Sequence, residues 1–546
     1  MALRRLAGAA FAASLGLTSC VANPGPAPVV EDDPATTTTT SSAPQAQPTG
    51  RTQVSVGVDP LRNGLNPHLT ADESHVVRSI AQLVLPSAFV DGARNPDLVT
   101  AATPLATSPT AGPAMTVRYV LADSAQWSDG TPLTGSDFAY LWRGMTKTPG
   151  VDDPAGYRAI SQIRVSGPTG KVVDVDFSTP VAEWESLFDF LLPSHLFAQD
   201  ASDFATALAD SIPASAGRYS VSSVDRGRGT VTLNRNDRFW GSSPARIDVV
   251  VLTAFNAARD TTQAAYQLRS GQLAYADIVP GQTTTDVLRL VPATTVTSAD
   301  GPRTLGVTLS ATSPLLASTE VREQLRSLID VPRLARIAAG RDTDVTFADS
   351  SPDSSPDSSP DTSPDSTGVP ELLTQAVASN RALRVAADPA DAFAAAAASA
   401  LVDMLIMRGV AAQTVLTDVA GIAGAGLPQG TVDVVVGWST PDASGPAQAS
   451  RLDCAADTYR AGNLSGLCTP ESHAVAQEIL DGTVPGPQAR ARVDAELIRQ
   501  AVWVPLFAER RTTALGGGVT APGPVALSTI PTWQLKSSTD EKGQTP

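Results

Sequence analysis

The stretch that decides the fold is Val117-Arg118-Tyr119-Val120-Leu121, followed by Trp127-Ser128-Asp129-Gly130-Thr131-Pro132-Leu133-Thr134 and then Asp137-Phe138. The first five residues read as a strand. Asp129-Gly130 supplies a turn, because glycine tolerates a positive φ and aspartate bonds to nearby backbone. Thr134-Gly135-Ser136-Asp137 is a capping box ahead of Phe138, Tyr140, Leu141 and Trp142, which predicts a helix. Strand, turn and helix therefore follow one another closely, and the same alternation continues outward. Val54-Ser55-Val56-Gly57-Val58 and Val172-Val173-Asp174-Val175-Asp176-Phe177 alternate as strands. Val321, Leu325, Leu328 and Ile329 share one helical face. Asp391 to Met407 is alanine-rich and nearly uniformly apolar, which predicts a buried helix. With Asp391 and Asp403 inside it, that run is too short and too charged to span a bilayer. The fold class is α/β.

The chain has 546 residues, 42% of them hydrophobic, enough for more than one lobe. Its net charge of -16 leaves no basic surplus to displace phosphate counterions, so nucleic acid is excluded as a partner. Residues 1–19 read as a secretion leader, with Arg4 and Arg5 ahead of the apolar run Leu6 to Leu17. Leu17-Thr18-Ser19-Cys20 is a lipobox, and the Cys20 thiol is the expected lipidation site. Acyl chains on Cys20 would supply a stable membrane anchor. Residues 20–50, rich in Pro, Thr and Ser, read as a disordered tether. A Ser-Pro-Asp repeat, from Ser351-Pro352-Asp353 to Ser363-Pro364-Asp365, marks an exposed disordered loop over 349–368 within a folded lobe. Cys454 and Cys468 are placed to close a disulfide in an exported compartment. With no histidine at ligand spacing they do not make a zinc site.

No catalytic constellation emerges. His68, His75, His195 and His473 form neither a zinc motif nor a nucleophile arrangement, so no enzyme activity, metal or cofactor is expected. His68 reads as a hydrogen-bonded loop residue. Gly424-Ala425-Gly426 with Gly430 lacks the spacing and the Lys-Ser/Thr of a phosphate loop, and reads as an ordinary loop.

Further segments extend the opening pattern. Ala216-Gly217-Arg218-Tyr219 leads through Val231-Thr232-Leu233-Asn234-Arg235-Asn236 to Phe239-Trp240-Gly241. Leu268 to Asp277 precedes Glu320-Val321-Arg322-Glu323-Gln324-Leu325 and Ile329-Asp330. In this order, with the Trp-Ser-Asp-Gly turn, they resemble the family 5 extracellular solute-binding proteins, the oligopeptide- and dipeptide-binding lipoproteins of ABC importers. Arg218 stands where that family usually has proline. The resemblance implies a bilobed periplasmic-binding-protein-like fold with two mixed-sheet lobes around a ligand cleft. Lobe I is expected from 51–95, 212–300 and 504–546, an inserted domain from 96–211, and lobe II from 301–503.

The resemblance also implies where ligand would be held. Thr431 to Trp438 reads as a buried strand ending in a tryptophan, where peptide binders of the family carry Gly-Trp-x-x-Asp. Here Trp438 is followed by Ser439-Thr440-Pro441-Asp442, so proline takes the acidic position and Asp442 is displaced by one. That departure argues against the usual grip on a peptide amino terminus. The Trp438 indole offers a platform for an apolar chain or a sugar ring. Asn63, Asn66 and Asn463 are expected to face the cleft, their amides suiting hydroxyl-rich ligands. Within the family the chain most resembles a mycobacterial lipoprotein of cell-wall glycolipid biosynthesis. This implies a monomer on the outer face of an actinobacterial membrane, binding a phosphatidylinositol mannoside intermediate, or the membrane mannosyltransferase that handles it, and regulating lipoarabinomannan synthesis. The alternative is a receptor that delivers a peptide-like solute to an ABC permease.

Overall fold

Residues 51–106, 112–347, 371–439, 444–454 and 461–536 are described by a computed structural model of the chain. The leader, Cys20, the tether, the Ser-Pro-Asp stretch, Thr440 and Asp442 lie outside the described residues. Alternation in the strand Gln53–Val58 buries Val54, Val56 and Val58. This strand lies between Val249–Ala254 and Tyr275–Ile278, parallel to both. It belongs to a ten-stranded mixed sheet. One end of the sheet comprises Tyr219–Asp225, Thr230–Arg235, Val249–Ala254, Gln53–Val58 and Tyr275–Ile278; the other comprises Val434–Ser439, Leu383–Ala387 and Ala412–Leu416.

Two long antiparallel strands, Thr295–Leu309 and Trp503–Leu515, join these halves. Leu515 to Thr512 pairs with Tyr275–Ile278, whereas Thr304 to Leu309 pairs with Val434–Ser439. The register between the long strands shifts after Asp300 and after Leu305, bending the sheet where the halves meet. Gly306 allows the Trp503 ring to lie against the backbone here, because an added Cβ would stand 2.3 Å from it. Val504, Leu506 and Phe507 pack with Leu305, Leu334 and Leu401, while Ala514 packs with Leu268 and Leu273 on the other side. The strand Trp503–Leu515 therefore crosses between cores within its own length. Two cores on one curled sheet give the bilobed architecture.

A separate four-stranded antiparallel sheet, in the order Val99–Leu105, Met115–Leu121, Val172–Phe177, Ile160–Ser166, shares a continuous core with the first half of the large sheet. The opening motif folds here as its chemistry dictates. Gly130 has φ +93°, Asp129 accepts the Thr131 N–H at 2.9 Å, and Trp127 is fully buried. In the helix Gly135–Lys147 the Thr134 hydroxyl accepts the Ser136 N–H at 3.3 Å, and Asp137 accepts the Thr134 N–H at 2.8 Å. The second Asp137 oxygen accepts from the backbone N–H and hydroxyl of Ser194, tying the helix start to the remote 3-10 turn Ser194–Leu196.

Two local expectations are corrected. The helix Ala392–Met407 forms, but it is buried on one face only, and Ile406 and Met407 remain exposed. A run of alanines carries no periodic contrast, so its sequence could not show which face meets the sheet. Gly424 to Gly426 is not a loop: it lies in a single π-helical turn, Ile422–Gly426, continuing one α-helical turn, Val419–Gly421. Cys454 and Cys468 are bonded, with Cα atoms 5.2 Å apart.

Candidate functional site

The strand Val434–Ser439 delivers Trp438 to the cleft between the halves, and Asp433 fixes its entry. The fully buried Asp433 carboxylate accepts from the Ser313 hydroxyl at 2.5 Å, the Arg384 N–H at 2.9 Å and the Arg381 guanidinium at 2.5 and 2.9 Å. Such charge-assisted bonds hold the strand in register. The neighbouring strand Leu383–Ala387 runs parallel to it and leads into Asp388 and Asp391. One oxygen of Asp391 caps the helix Ala392–Met407 by accepting the N–H groups of Phe393 and Ala394. The other accepts the Trp438 indole N–H at 2.7 Å and pairs with Arg62 at 2.8 Å. Arg62 thus reaches across the cleft to the opposite half.

Arg303 closes the inner end of the cleft. Its guanidinium lies 5.1 Å from the Trp438 ring centroid, while Phe393 and Phe507 meet the indole edge-on. It also pairs with Glu509 through two donors, one of them at 3.1 Å, and lies 3.7 Å from Glu73. Burial alone would lower the Arg303 pKa, but Glu509 and then Glu73 raise it. The chain of ions continues through Arg511, which contacts Glu509 at 3.4 Å, Asp277 at 2.8 Å and Asp59 at 2.9 Å. Asp277 also meets His75 at 2.8 Å. These ions line the crossing of the two long strands.

The opposite wall carries Thr70, Asp152 and Asp153. The Thr70 hydroxyl donates to Asp152, and Asp153 adopts φ +49°, an uncommon conformation for a residue with a side chain. Loss of solvation, with Asp153 next to it, pushes the Asp152 carboxyl well above the usual carboxylate range. The cleft holds about 1220 Å³ of free space, its open mouth included. Among the described residues, five carboxylates (Glu73, Asp152, Asp153, Asp388, Asp391) and three guanidiniums (Arg62, Arg303, Arg451) line it. An excess of acids favours neutral, hydroxyl-rich or cationic groups over anions deep in the cleft.

Trp438, Ser439 and Asn463 from the sequence reading line this space. The Asn463 amide, however, donates to the Asp453 and Leu467 carbonyls, both at 3.0 Å, and accepts from the Ser465 hydroxyl at 2.8 Å. It shapes the wall rather than offering a free amide. Asn63 lies in an adjoining groove and donates to the Ala71 carbonyl at 2.8 Å. Asn66 does not reach the cleft: it is 1% exposed, donates to the Phe204 carbonyl and accepts the His68 N–H. Its loop must satisfy its own backbone before any ligand. His68 is buried against Phe190 and Phe204, and desolvation pulls its pKa down to about 4, so it is a neutral structural histidine. Arg62, Glu73, Asp152, Arg303 and Asp391 were missed by sequence reasoning. Only Asp391 carried a local signal, as an N-cap ahead of the alanine run. The cysteines form the disulfide alone, and no cluster of metal-ligating side chains occurs among the described residues.

Residues 101–457 match the family model described as bacterial extracellular solute-binding proteins, family 5 Middle. The chain belongs to that family. Its members are extracellular binding proteins, which places this family 5 body outside the cytoplasm. No described helix is long and apolar enough to cross a membrane. Among curated relatives, a probable monoacyl phosphatidylinositol tetramannoside-binding protein, LpqW of Mycobacterium tuberculosis, is 34% identical over 345 residues, covering 61% of this chain and 52% of that protein. The oligopeptide-binding protein OppA of the same organism is 30% identical over 232 residues, covering 41% and 37%. The chain thus matches about half the length of the first relative and less of the second. Among solved structures, the oligopeptide-binding protein AppA of Bacillus subtilis, in complex with a nonapeptide, superposes with TM-score 0.66 at 12% identity, covering 89% of this chain and 100% of that one. The periplasmic EDTA-binding protein EppA gives 0.64 at 20% identity, covering 89% and 97%. At these identities the likeness establishes the fold of this family 5 protein and leaves its ligand to the site.

Proposed function

We propose that this protein is a non-catalytic lipoprotein, anchored through Cys20 to the outer face of an actinobacterial cell membrane. Its cleft holds the mannosylated head of a phosphatidylinositol mannoside, and it regulates the flow of that intermediate, through the mannosyltransferase that handles it, into lipomannan and lipoarabinomannan. The observation that carries this reading is the cleft wall around Trp438. Carboxylates, guanidiniums and the hydroxyls of Thr70 and Ser439 surround a half-buried indole. Sugar hydroxyls both donate and accept, and such a wall answers both roles while the indole covers a ring face. The likeness to the tetramannoside-binding relative supports the same choice.

Calorimetric titration with a water-soluble, deacylated phosphatidylinositol tetramannoside tests the reading. The protein is expected to bind it, and Trp438→Ala is expected to weaken binding at least about tenfold, equivalent to ~1.4 kcal/mol. Micromolar binding of oligopeptides with none of the mannoside would establish the importer's receptor instead. Unchanged affinity in Trp438→Ala would remove the cleft as the working surface.

A further inference from the structure

One end of the large sheet carries a surface unlike the rest of the chain, and strand pairing assembles it from remote segments. The strand Gln53–Val58 starts at this end, where the Thr52 carbonyl accepts the Asp248 and Val249 N–H groups at 3.1 and 2.9 Å. The Ala274 N–H donates to the Ser55 carbonyl at 2.8 Å, and the Gly516 N–H donates to the Ala274 carbonyl at 2.9 Å. Leu515 pairs with Thr295 as well as with Tyr275, so the turn from Leu290 to Ala293 lies beside Gly516 to Gly518. An added Cβ on Gly517 would stand 3.2 Å from the Ala293 carbonyl oxygen. The Lys536 N–H completes the group by donating to the Gly518 carbonyl at 3.0 Å. The first and last described residues, Arg51 and Lys536, therefore stand on one face.

Two chemistries coincide there. Leu290 is 82% exposed, more than any other large hydrophobic among the described residues, and Pro292 and Ala293 beside it are exposed too. Around this apolar tip stand Arg51, Arg246, Arg269 and Lys536, all exposed and in no ion pair among the described residues. Asp248 and Asp286, the acids beside them, are engaged: Asp248 by Arg235 at 2.5 Å and by the Thr52 hydroxyl at 2.7 Å, Asp286 by Arg289 at 3.5 Å. In a chain of net charge -16 such a cationic face is a local reversal. The tip is too small to centre a stable protein interface, which buries roughly 800 Å² per partner. An exposed leucine ringed by arginine and lysine suits the surface of a bilayer, the apolar tip entering among the head groups and the cations meeting lipid phosphates.

We propose that this face rests on an anionic lipid bilayer, with Leu290 among the head groups and the four cations against lipid phosphates. The orientation rests on the Cys20 anchor proposed above, since the chain coming from Cys20 joins the described body at Arg51, on this face. Arg62 and the cleft lie past the other end of the strand Gln53–Val58, ~20 Å away at about 3.3 Å per residue. Docking therefore leaves the cleft open, at the height of an extended glycan head rather than of acyl chains.

The full chain, reconstituted on vesicles of phosphatidylglycerol and phosphatidylcholine brominated on its acyl chains, provides the test. An environment-sensitive fluorophore on Leu290→Cys reports contact; the same label on Leu416→Cys, 54% exposed at the opposite edge of the sheet, is the control. With Cys20 acylated and Cys454 and Cys468 bonded, the introduced thiol takes the label. The bromines are expected to quench the label at 290 and to leave that at 416 unquenched. Omitting phosphatidylglycerol, or raising salt to ~1 M, where the Debye length falls to about 3 Å, is expected to relieve the quenching. Arg246→Glu with Arg269→Glu is expected to lower the ratio of docked to undocked protein at least about tenfold, at roughly fivefold for each cation at the membrane surface. Vesicle-bound protein with no quenching at 290, or with equal quenching at 416, would overturn the inference and leave the anchor standing. Quenching indifferent to phosphatidylglycerol and to the double variant would do the same. Unlabelled protein that sediments with anionic vesicles and not with neutral ones would support this face and overturn the anchor, whereas protein that sediments with neither would overturn both.

Discussion

Glu509→Gln removes one charge from the buried ions at the crossing of the two long strands and keeps the side chain's shape. Arg303 is 5% exposed and Glu509 1%, so neither can turn to water when the other changes. In the native protein Glu509 receives two donors from Arg303 and lies 3.4 Å from Arg511. Afterwards Arg303 keeps only Glu73, 3.7 Å away, among its carboxylate partners, whereas Arg511 keeps Asp277 and Asp59. Breaking one side of a buried pair costs about 3–5 kcal/mol, and the remaining partners place this change near 3 kcal/mol. That is a large fraction of a typical total of roughly 5–15 kcal/mol. Urea unfolding followed by tryptophan fluorescence measures it, with an unchanged slope showing that only stability moved. Arg303→Met in the Glu509→Gln background removes the stranded charge, so the double variant is expected to be more stable than the sum of the single losses by about 2 kcal/mol. The pH dependence has a defined sign. Burial alone would raise the Glu509 pKa, but Arg303 and then Arg511 hold it below its ordinary value. Its contribution is present above the unfolded carboxylate pKa and is lost as pH falls through the folded one, so the gap between wild type and Glu509→Gln narrows in acid. A loss under about 1 kcal/mol at neutral pH, or strict additivity of the two substitutions, would refute the ion-chain account of the crossing.

His68 is neutral in the fold, its pKa pulled from 6.5 to about 4, so the unfolded chain takes up the proton first as pH falls. Stability contributed by His68 is therefore full above pH 6.5 and declines toward pH 4 by about 3 kcal/mol, and His68→Gln is expected to remove that part of the slope in urea titrations between pH 7.5 and 4.5. Cys454 and Cys468 stand 14 residues apart. On the chain-entropy model their bond contributes about 3 kcal/mol; a Cys454→Ser, Cys468→Ser variant should lose it, and dithiothreitol should lower the urea midpoint of the wild type and leave the variant unmoved.

Local chemistry was legible wherever neighbouring residues complete one another. Asp129-Gly130 and Thr134 to Asp137 satisfy their own turn and helix start within a few residues, so composition and spacing were enough. The nearly uniform helix Ala392–Met407 marks the limit: its length and cap were readable, but its exposed face was set by the sheet it packs on. The asparagines marked the same limit at the site. Asn66 and Asn463 have the right chemistry for a ligand, yet the distant Phe204 carbonyl takes the Asn66 donor, and the Asp453 and Leu467 carbonyls of its own loop take those of Asn463.

By itself the sequence determined the α/β class, the family, the acidic character and the arrival of Trp438 at the end of a strand. Each of these is carried by residues close together in the chain or by totals over it. Tertiary structure alone decided what surrounds the indole. Arg62, Arg303 and Asp391 stand far apart in the sequence and meet there because two strands cross between the halves of one sheet.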